Sequence, residues 1–346
     1  MNRRVHAFGD DALGHDDAVG LSTRLAAGEV TAAALVEAAI ARIERVDPNL
    51  GAMAYRSYDE ARRQAAQVGL EPVADGREPV VGGLLRGIPA LVKDNVEFAG
   101  MPAQHGTDAY VAAPARADGD LARMWRATGL IALGKTRLSE YGFSASCEHA
   151  RLGPVRNPWD PRFTAGASSS GSSALVAAGA VPLAHGNDGG GSIRIPAAVN
   201  GLVGLKPTRG RTAQDALFRQ LPVRIISDGV LTRSVRDTAA FFAAAERVWR
   251  NPDLPPIGWV RRPSGPGFRV GLVTSSVTRR PSGEVVDAVE RCGALLESLG
   301  HLVVPIDPPA PASFVDDFVN YWSQLALATV RTGRLHHGSS WQPARL

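Results

Sequence analysis

Three glycines lead directly into a serine at Gly189-Gly190-Gly191-Ser192, and a second small-residue run, Gly166-Ala167-Ser168-Ser169-Ser170-Gly171, lies upstream. Low side-chain volume lets backbone approach a ligand, and glycine reaches backbone angles that other residues avoid. Clustered backbone N–H donors beside a hydroxyl suit a nucleophile with an oxyanion hole. A flexible linker shares this composition. It does not share the context, because the residues between the two loops, Ala174 to Ala184, are apolar enough to be buried.

A serine nucleophile needs a base, and three arrangements compete. A nucleophile elbow requires G-x-S-x-G, and Gly166-Ala167-Ser168-Ser169-Ser170 lacks the second glycine. A serine–histidine pair requires a histidine near the loops. Only His185 of the eight histidines lies in this stretch, and an isolated histidine is more often structural than catalytic. The third arrangement uses a lysine. Lys93 ends the apolar run Ile88 to Val92, whose burial would favour the neutral amine a base requires. Its ordinary pKa near 10.4 must fall by about three units, at a cost of roughly 4 kcal/mol. A surface lysine at a strand end is the competing reading.

The elements that position these groups follow from periodicity and punctuation. Asp17 to Ala27 and Thr31 to Val46 read as helices, with Thr31 as N-cap and Asp47-Pro48 as the stop. Tyr58 to Val68 reads as a third helix, and residues 71–84 as a Gly/Pro-rich loop. Ile88 to Val92 and Leu130 to Leu133 read as buried strands, with a helix over Asp120 to Thr128 between them. Gly129 to Thr136 matches GxxxxGK[ST] letter for letter. Its four intervening residues are all apolar and form the strand itself, so a phosphate loop is disfavoured. Further on, Ile225 to Thr232 reads as a strand and Val235 to Val248 as a helix. Residues 251–267 carry five prolines and mark a long loop or boundary. Phe268 to Thr274, Glu284 to Leu299 and His301 to Pro305 then form a strand–helix–strand unit, followed by a helix from Phe314 to Val330.

Composition narrows the class. The 346 residues suffice for a large core, and 45% hydrophobic with 21% charged residues is ordinary for a globular protein. The net charge of +4 is spread along the chain, so no nucleic-acid partner is expected. Cys147 and Cys292 have neither disulfide-framework nor metal-ligand spacing, so no metal is expected and a reducing cytoplasm is the natural compartment. The N-terminus lacks a signal-peptide pattern, and the longest apolar run is too short to span a bilayer.

Residues 164–211, with Lys93 upstream, resemble the amidase signature family. The resemblance rests on Gly186-Asn-Asp-Gly-Gly-Gly-Ser-Ile-Arg194, on Gly204-Leu-Lys-Pro-Thr208, and on Gly87-Ile88-Pro89 through Lys93-Asp94. Gly134-Lys-Thr136 and Asn157-Pro-Trp159 also fit its layout, which covers nearly the whole chain. The resemblance implies an α/β fold, a mixed β-sheet core flanked by helices on both faces. It implies one domain over 17–346 behind a flexible arm of residues 1–16, truncated at its C-terminus.

It further implies a Ser–Ser–Lys triad without cofactor. Ser192 is then the nucleophile, Ser168 the bridging serine on a cis peptide, and Lys93 the base. Backbone N–H groups of Gly189, Gly190, Gly191 and Ser192 hold the oxyanion. Ser169 supports the network, and Asp188 with Arg194 form a structural ion pair. The run departs from the family's G-G-S-S-G-G at Ala167 and Ser170. The implied activity is hydrolysis of a linear carboxamide, with a small-molecule amide as partner and specificity in loops such as 212–226. The rival readings are the amidase subunit of a tRNA-dependent amidotransferase and an inactive truncated homologue. The oligomeric state is open and admits a homodimer.

Overall fold

The computed structural model describes residues 4–68, 83–263, 265 and 267–337. Most of the stretch expected as a Gly/Pro-rich loop over 71–84 lies outside the described residues. Along the chain come α1 (Ala18–Ala26), α2 (Ala32–Leu50), β1 (Met53–Arg56), α3 (Tyr58–Gln67), β2 (Pro89–Lys93), α4 (Asp120–Ala127) and β3 (Ile131–Thr136). They are followed by β4 (Glu148–His149), β5 (Gly153–Pro154), α5 (Ser170–Ala177), β6 (Leu183–Asp188), α6 (Arg194–Asn200), β7 (Val203–Gly204), α7 (Ala216–Arg219), β8 (Ser227–Thr232) and α8 (Val235–Val248). The last elements are β9 (Arg269–Leu272), α9 (Gly283–Ser298), β10 (Leu302–Pro305) and α10 (Phe314–His337).

Six strands form one mixed sheet in the order β1-β3-β2-β6-β8-β7. The centre, β3-β2-β6, is parallel, and β1, β8 and β7 join antiparallel. Every residue of β2, β3, β6 and β8 is buried. Continuous apolar runs are what parallel strands covered on both faces require. Alternation along β6 shows the two covers. A Cβ added to Gly186 would stand 2.9 Å from Ser169 Oγ, at the start of α5. The neighbouring His185 ring instead meets Trp125 of α4 edge-on, and Trp125 packs against Phe241 of α8. The apolar run from Ala174 to Ala184 thus divides into the end of α5, a turn and the start of β6.

Capping residues fix several helix starts. Thr31 Oγ1 accepts the Ala34 N–H at 3.1 Å, and Asp17 accepts that of Gly20 at 2.9 Å. Helix α2 runs past the expected stop at Asp47-Pro48 and ends at Leu50, with Gly51 left-handed at φ 61. Pro48 removes an N–H only in the final turn, and Asp47 Oδ1 takes the N–H groups of Ala52 and Met53 just beyond. The buried face of α2 carries Leu35, Val36, Ala39, Ile40, Ile43, Val46 and Leu50.

Residues 4–16 correct the expectation of a flexible arm. Val5 N–H donates to Pro158 O and Ala7 N–H to Ala178 O, and Ala7 and Leu13 are buried. Arg42, itself buried, binds the Asp11 carboxylate through two nitrogens and the carbonyls of Gly9 and Gly14. A buried guanidinium with five donors needs such acceptors, and this segment supplies them.

The chain divides into two compact units, the first running to Arg261 and the second spanning Arg262–His336. The division falls inside the proline-rich stretch. Within the second unit β9 and β10 pair in parallel, with Leu302 opposite Arg269, and α9 connects them. Helix α10 stacks Phe314, Phe318 and Trp322 at four-residue spacing, with ring centroids 6.1 and 5.2 Å apart.

Candidate active site

The parallel strands β2, β3 and β6 deliver Lys93, Thr136 and Asp188 at their carboxyl ends. Clefts at strand carboxyl ends are where open α/β sheets bind ligands. Lys93 has no exposed surface, and its Nζ lies 2.7 Å from Ser168 Oγ and 2.6 Å from Asn187 Oδ1. Burial pushes the amine down to about 7, against the pull of Asp228, Asp188 and Cys147.

Ser168 follows a cis Ala167–Ser168 peptide and is buried, as is Ser169. Ser169 ties the two small-residue loops together. Its N–H and its Oγ both donate to the Ser192 carbonyl, at 3.2 and 2.6 Å. The serines at the start of α5 bind backbone: Ser170 Oγ donates to Gly166 O, and Ser172 Oγ to His185 O. Small residues are required here. A Cβ on Gly171 would stand 2.2 Å from Ala52 O, so α5 approaches the chain entering β1 closer than any side chain allows.

Ser192 sits one residue past Gly191, which has φ +124, and precedes α6. Among the described residues no hydrogen bond joins the Ser192 and Ser168 hydroxyls, so the structure brings Lys93 to Ser168 directly and Ser192 only through its backbone. The Asp188 carboxylate organises the loop. It accepts Arg194 Nε and Nη2, both at 2.9 Å, and the N–H groups of Gly191, Ile193 and Arg194 at 2.7, 3.1 and 3.3 Å. Burial opposes its ionisation, but Arg194 and the Ile193 and Gly191 N–H groups outweigh that and hold the carboxyl below its ordinary range.

This corrects one expectation. The Gly191 N–H does not stand free for an oxyanion, because a buried carboxylate takes it. The N–H groups of Gly189, Gly190 and Ser192 make no hydrogen bond among the described residues.

His185 is not placed to act as a base. Its ring is buried, Nδ1 accepts the Lys93 backbone N–H at 3.4 Å, and Nε2 faces Asp228 Oδ1 at 3.1 Å. The apparent phosphate motif is likewise structural. Gly134 to Thr136 lie within β3, and the buried Lys135 amine donates to Val96 O.

Sequence reasoning passed over Asn187, which bonds the Lys93 amine, Asn95, which bonds Asn187, and Asp228, whose charge acts on that amine. The available signal was the pair His185 and Asn187, two residues apart on one face of a buried strand. It also passed over Gly142, whose added Cβ would stand 3.4 Å from Ser168 Oγ. Beside Gly142 lies a cavity of about 330 Å³ lined by Ser139, Glu140, Phe143, Ser144, Ser146, Glu148 and His149.

The fold and these motifs agree with the comparisons to known proteins. The profile of the Amidase family matches residues 34–340. A relative named "Putative amidase AmiC" from Mycobacterium tuberculosis is 57% identical over 344 residues, covering 99% of this chain and 71% of that protein. A bacterial aryl acylamidase of the amidase signature enzymes superposes with a TM-score of 0.80 at 28% identity, covering 94% of this chain and 69% of that one. The peptide amidase of Stenotrophomonas maltophilia gives 0.73 at 32% identity, covering 87% and 63%. The chain is therefore a hydrolase acting on amide bonds by class. It belongs to the amidase signature family.

Proposed function

We propose that this chain hydrolyses a linear carboxamide through an acyl-enzyme on Ser192. The observation that supports it most is the fully buried Lys93 amine 2.7 Å from Ser168 Oγ, on the loop that Ser169 ties to Ser192. Lys93, uncharged, takes the Ser168 proton while Ser168 takes that of Ser192. Ser192 Oγ then bonds to the amide carbon, and the carbonyl oxygen becomes an oxyanion facing N–H groups of Gly189, Gly190 and Ser192. Ser168 returns a proton to the nitrogen as the C–N bond breaks. Water, deprotonated along the same path, adds to the acyl carbon and releases the acid and free Ser192.

No step calls for a cofactor. A substituent of the amide would be received by the cavity lined from residues 139–149, and the segment over 212–226, which carries α7, would be a second contributor to specificity. The free thiols Cys147 and Cys292 fit a reducing, cytoplasmic setting. No helix among the described residues is long and apolar enough to cross a membrane.

The test is a panel of anilides and primary carboxamides assayed for released amine or ammonia. Turnover by the wild type, lowered at least about 10³-fold in Ser192→Ala, supports the reading. Turnover unaffected in Ser192→Ala overturns it.

A further inference from the structure

A lysine that serves as a base has two requirements that ordinarily conflict. Its amine must be uncharged, and a buried amine must still be held in place by hydrogen bonds. Carboxylates hold amines well but favour the ammonium form. Around Lys93 the nearby carboxylates are committed elsewhere. Asp188 on β6 is engaged by Arg194 and loop N–H groups, and Asp228 on β8 by His185 Nε2 and Gln214 Nε2. The Cys147 thiol is raised by burial and so stays uncharged. Lys135 on β3 turns its amine to the Val96 carbonyl. His185, on β6, meets Lys93 only at its backbone N–H. The side chains that bond the amine directly are Ser168 and Asn187, at 2.7 and 2.6 Å.

A neutral amine has two N–H donors and one lone pair. If Asn187 Oδ1 accepts one N–H, the lone pair is left for the Ser168 O–H. Were the carboxamide reversed, its NH₂ would donate to that lone pair and remove it from Ser168. The carboxamide is held in place from the other side. Asn187 Nδ2 donates to Asn95 Oδ1 at 3.3 Å, and Asn95 Nδ2 donates back to Asn187 Oδ1 at 3.4 Å. Asn187 is only 5% exposed, so water does not replace these bonds.

We infer that Asn187 is a positioning residue for Lys93. Its carboxamide oxygen takes one amine N–H without adding charge, the lone pair stays on Ser168, and Asn95 holds the carboxamide in place beside the amine. This inference rests on Lys93 being the base of the proposed amidase. It carries a specific consequence: a carboxylate of the same shape at this position captures the lysine as an ammonium ion.

The test pairs two readouts on Asn187→Asp, Asn187→Ala and Asn95→Ala. One is the pH titration of the Lys93 side chain by NMR with ¹³Cε-labelled lysine, which needs no turnover. The other is the pH profile of kcat/KM on an anilide that the wild type hydrolyses. In Asn187→Asp both the titration midpoint and the acid limb rise by about one pH unit or more, and activity returns in alkali. In Asn187→Ala the midpoint does not rise, while kcat falls about tenfold or more with KM retained. Asn95→Ala behaves in the same way with a smaller loss. An unchanged midpoint in Asn187→Asp, or an Asn187→Ala enzyme with wild-type kcat, overturns the inference. A wild type that hydrolyses no amide, while the Lys93 midpoint still rises in Asn187→Asp, overturns the proposed function and supports the hold of Asn187 on the amine.

Discussion

The Lys93 amine lies 2.7 Å from the Ser168 hydroxyl with no surface exposed to solvent. Burial moves it down to about 7 from its ordinary value of 10.5. The folded chain therefore sheds between about 7 and 10.5 a proton that the unfolded chain keeps. The unfolded state binds more protons in that window, so stability rises with pH across it and is lost as pH falls toward 7. The full effect is at most about 5 kcal/mol. Lys93→Met lacks this dependence. Urea midpoints at pH 7 and pH 10 should show wild type gaining on the variant as the pH rises. Equal gains in both would place the titration elsewhere.

The same proton sets the activity profile. The value of kcat/KM should rise through about pH 7 as Lys93 becomes neutral. Turnover that is flat from pH 6 to 9 would remove Lys93 from the base role.

The Asp188–Arg194 pair predicts a graded series. Arg194→Ala strips two charge-assisted bonds from a fully buried carboxylate. Because Arg194 is 54% exposed, the cost falls at the low end for such pairs, about 2 kcal/mol. The Gly loop loses its anchor, and kcat should drop about tenfold or more. Arg194→Lys recovers part of each, since an ammonium cannot make both bonds at once. Calorimetry and initial rates read the two effects. An Arg194→Ala enzyme with wild-type Tm and kcat would contradict this account.

Gly171→Ala should be among the most damaging small substitutions. Its methyl would meet the Ala52 carbonyl oxygen at 2.2 Å and the Arg137 nitrogen at 2.8 Å, both backbone atoms. Backbone cannot swing aside, so the cost is about 3 kcal/mol or more. Gly283→Ala meets nothing within 4 Å and serves as the control. Comparable urea midpoints for the two variants would show that the close approach is relaxed in solution.

Much of this was legible in the sequence for physical reasons. Thr31 caps α2 because its hydroxyl matches the first free N–H groups, and the apolar runs around Val92 and Leu133 form buried strands. Lys93 could be singled out because a charge at the end of an apolar run needs an explanation, whereas the parts given to Ser168 and Asp188 come from the resemblance to the amidase signature family. Asn187 gave no such signal, standing among small residues just before the glycines. Its role depends on the pairing of β6 with β2, a long-range contact that local pattern does not encode. The fate of the Gly191 N–H was hidden for a similar reason. A run of glycines advertises free donors, and only the folded loop shows Asp188 turning back to take one. The N-terminal segment read as loose because it lacks periodicity. It is held instead by Arg42, whose burial the helix pattern alone did not require.

The central claim is an activated Ser192, and labelling with a fluorophosphonate probe tests it most directly. The account predicts that the wild type labels at Ser192, that Ser192→Ala abolishes labelling, and that Ser168→Ala and Lys93→Ala slow it about 10²-fold or more. Labelling retained in folded Ser192→Ala, or a folded wild type that takes no label, would contradict it.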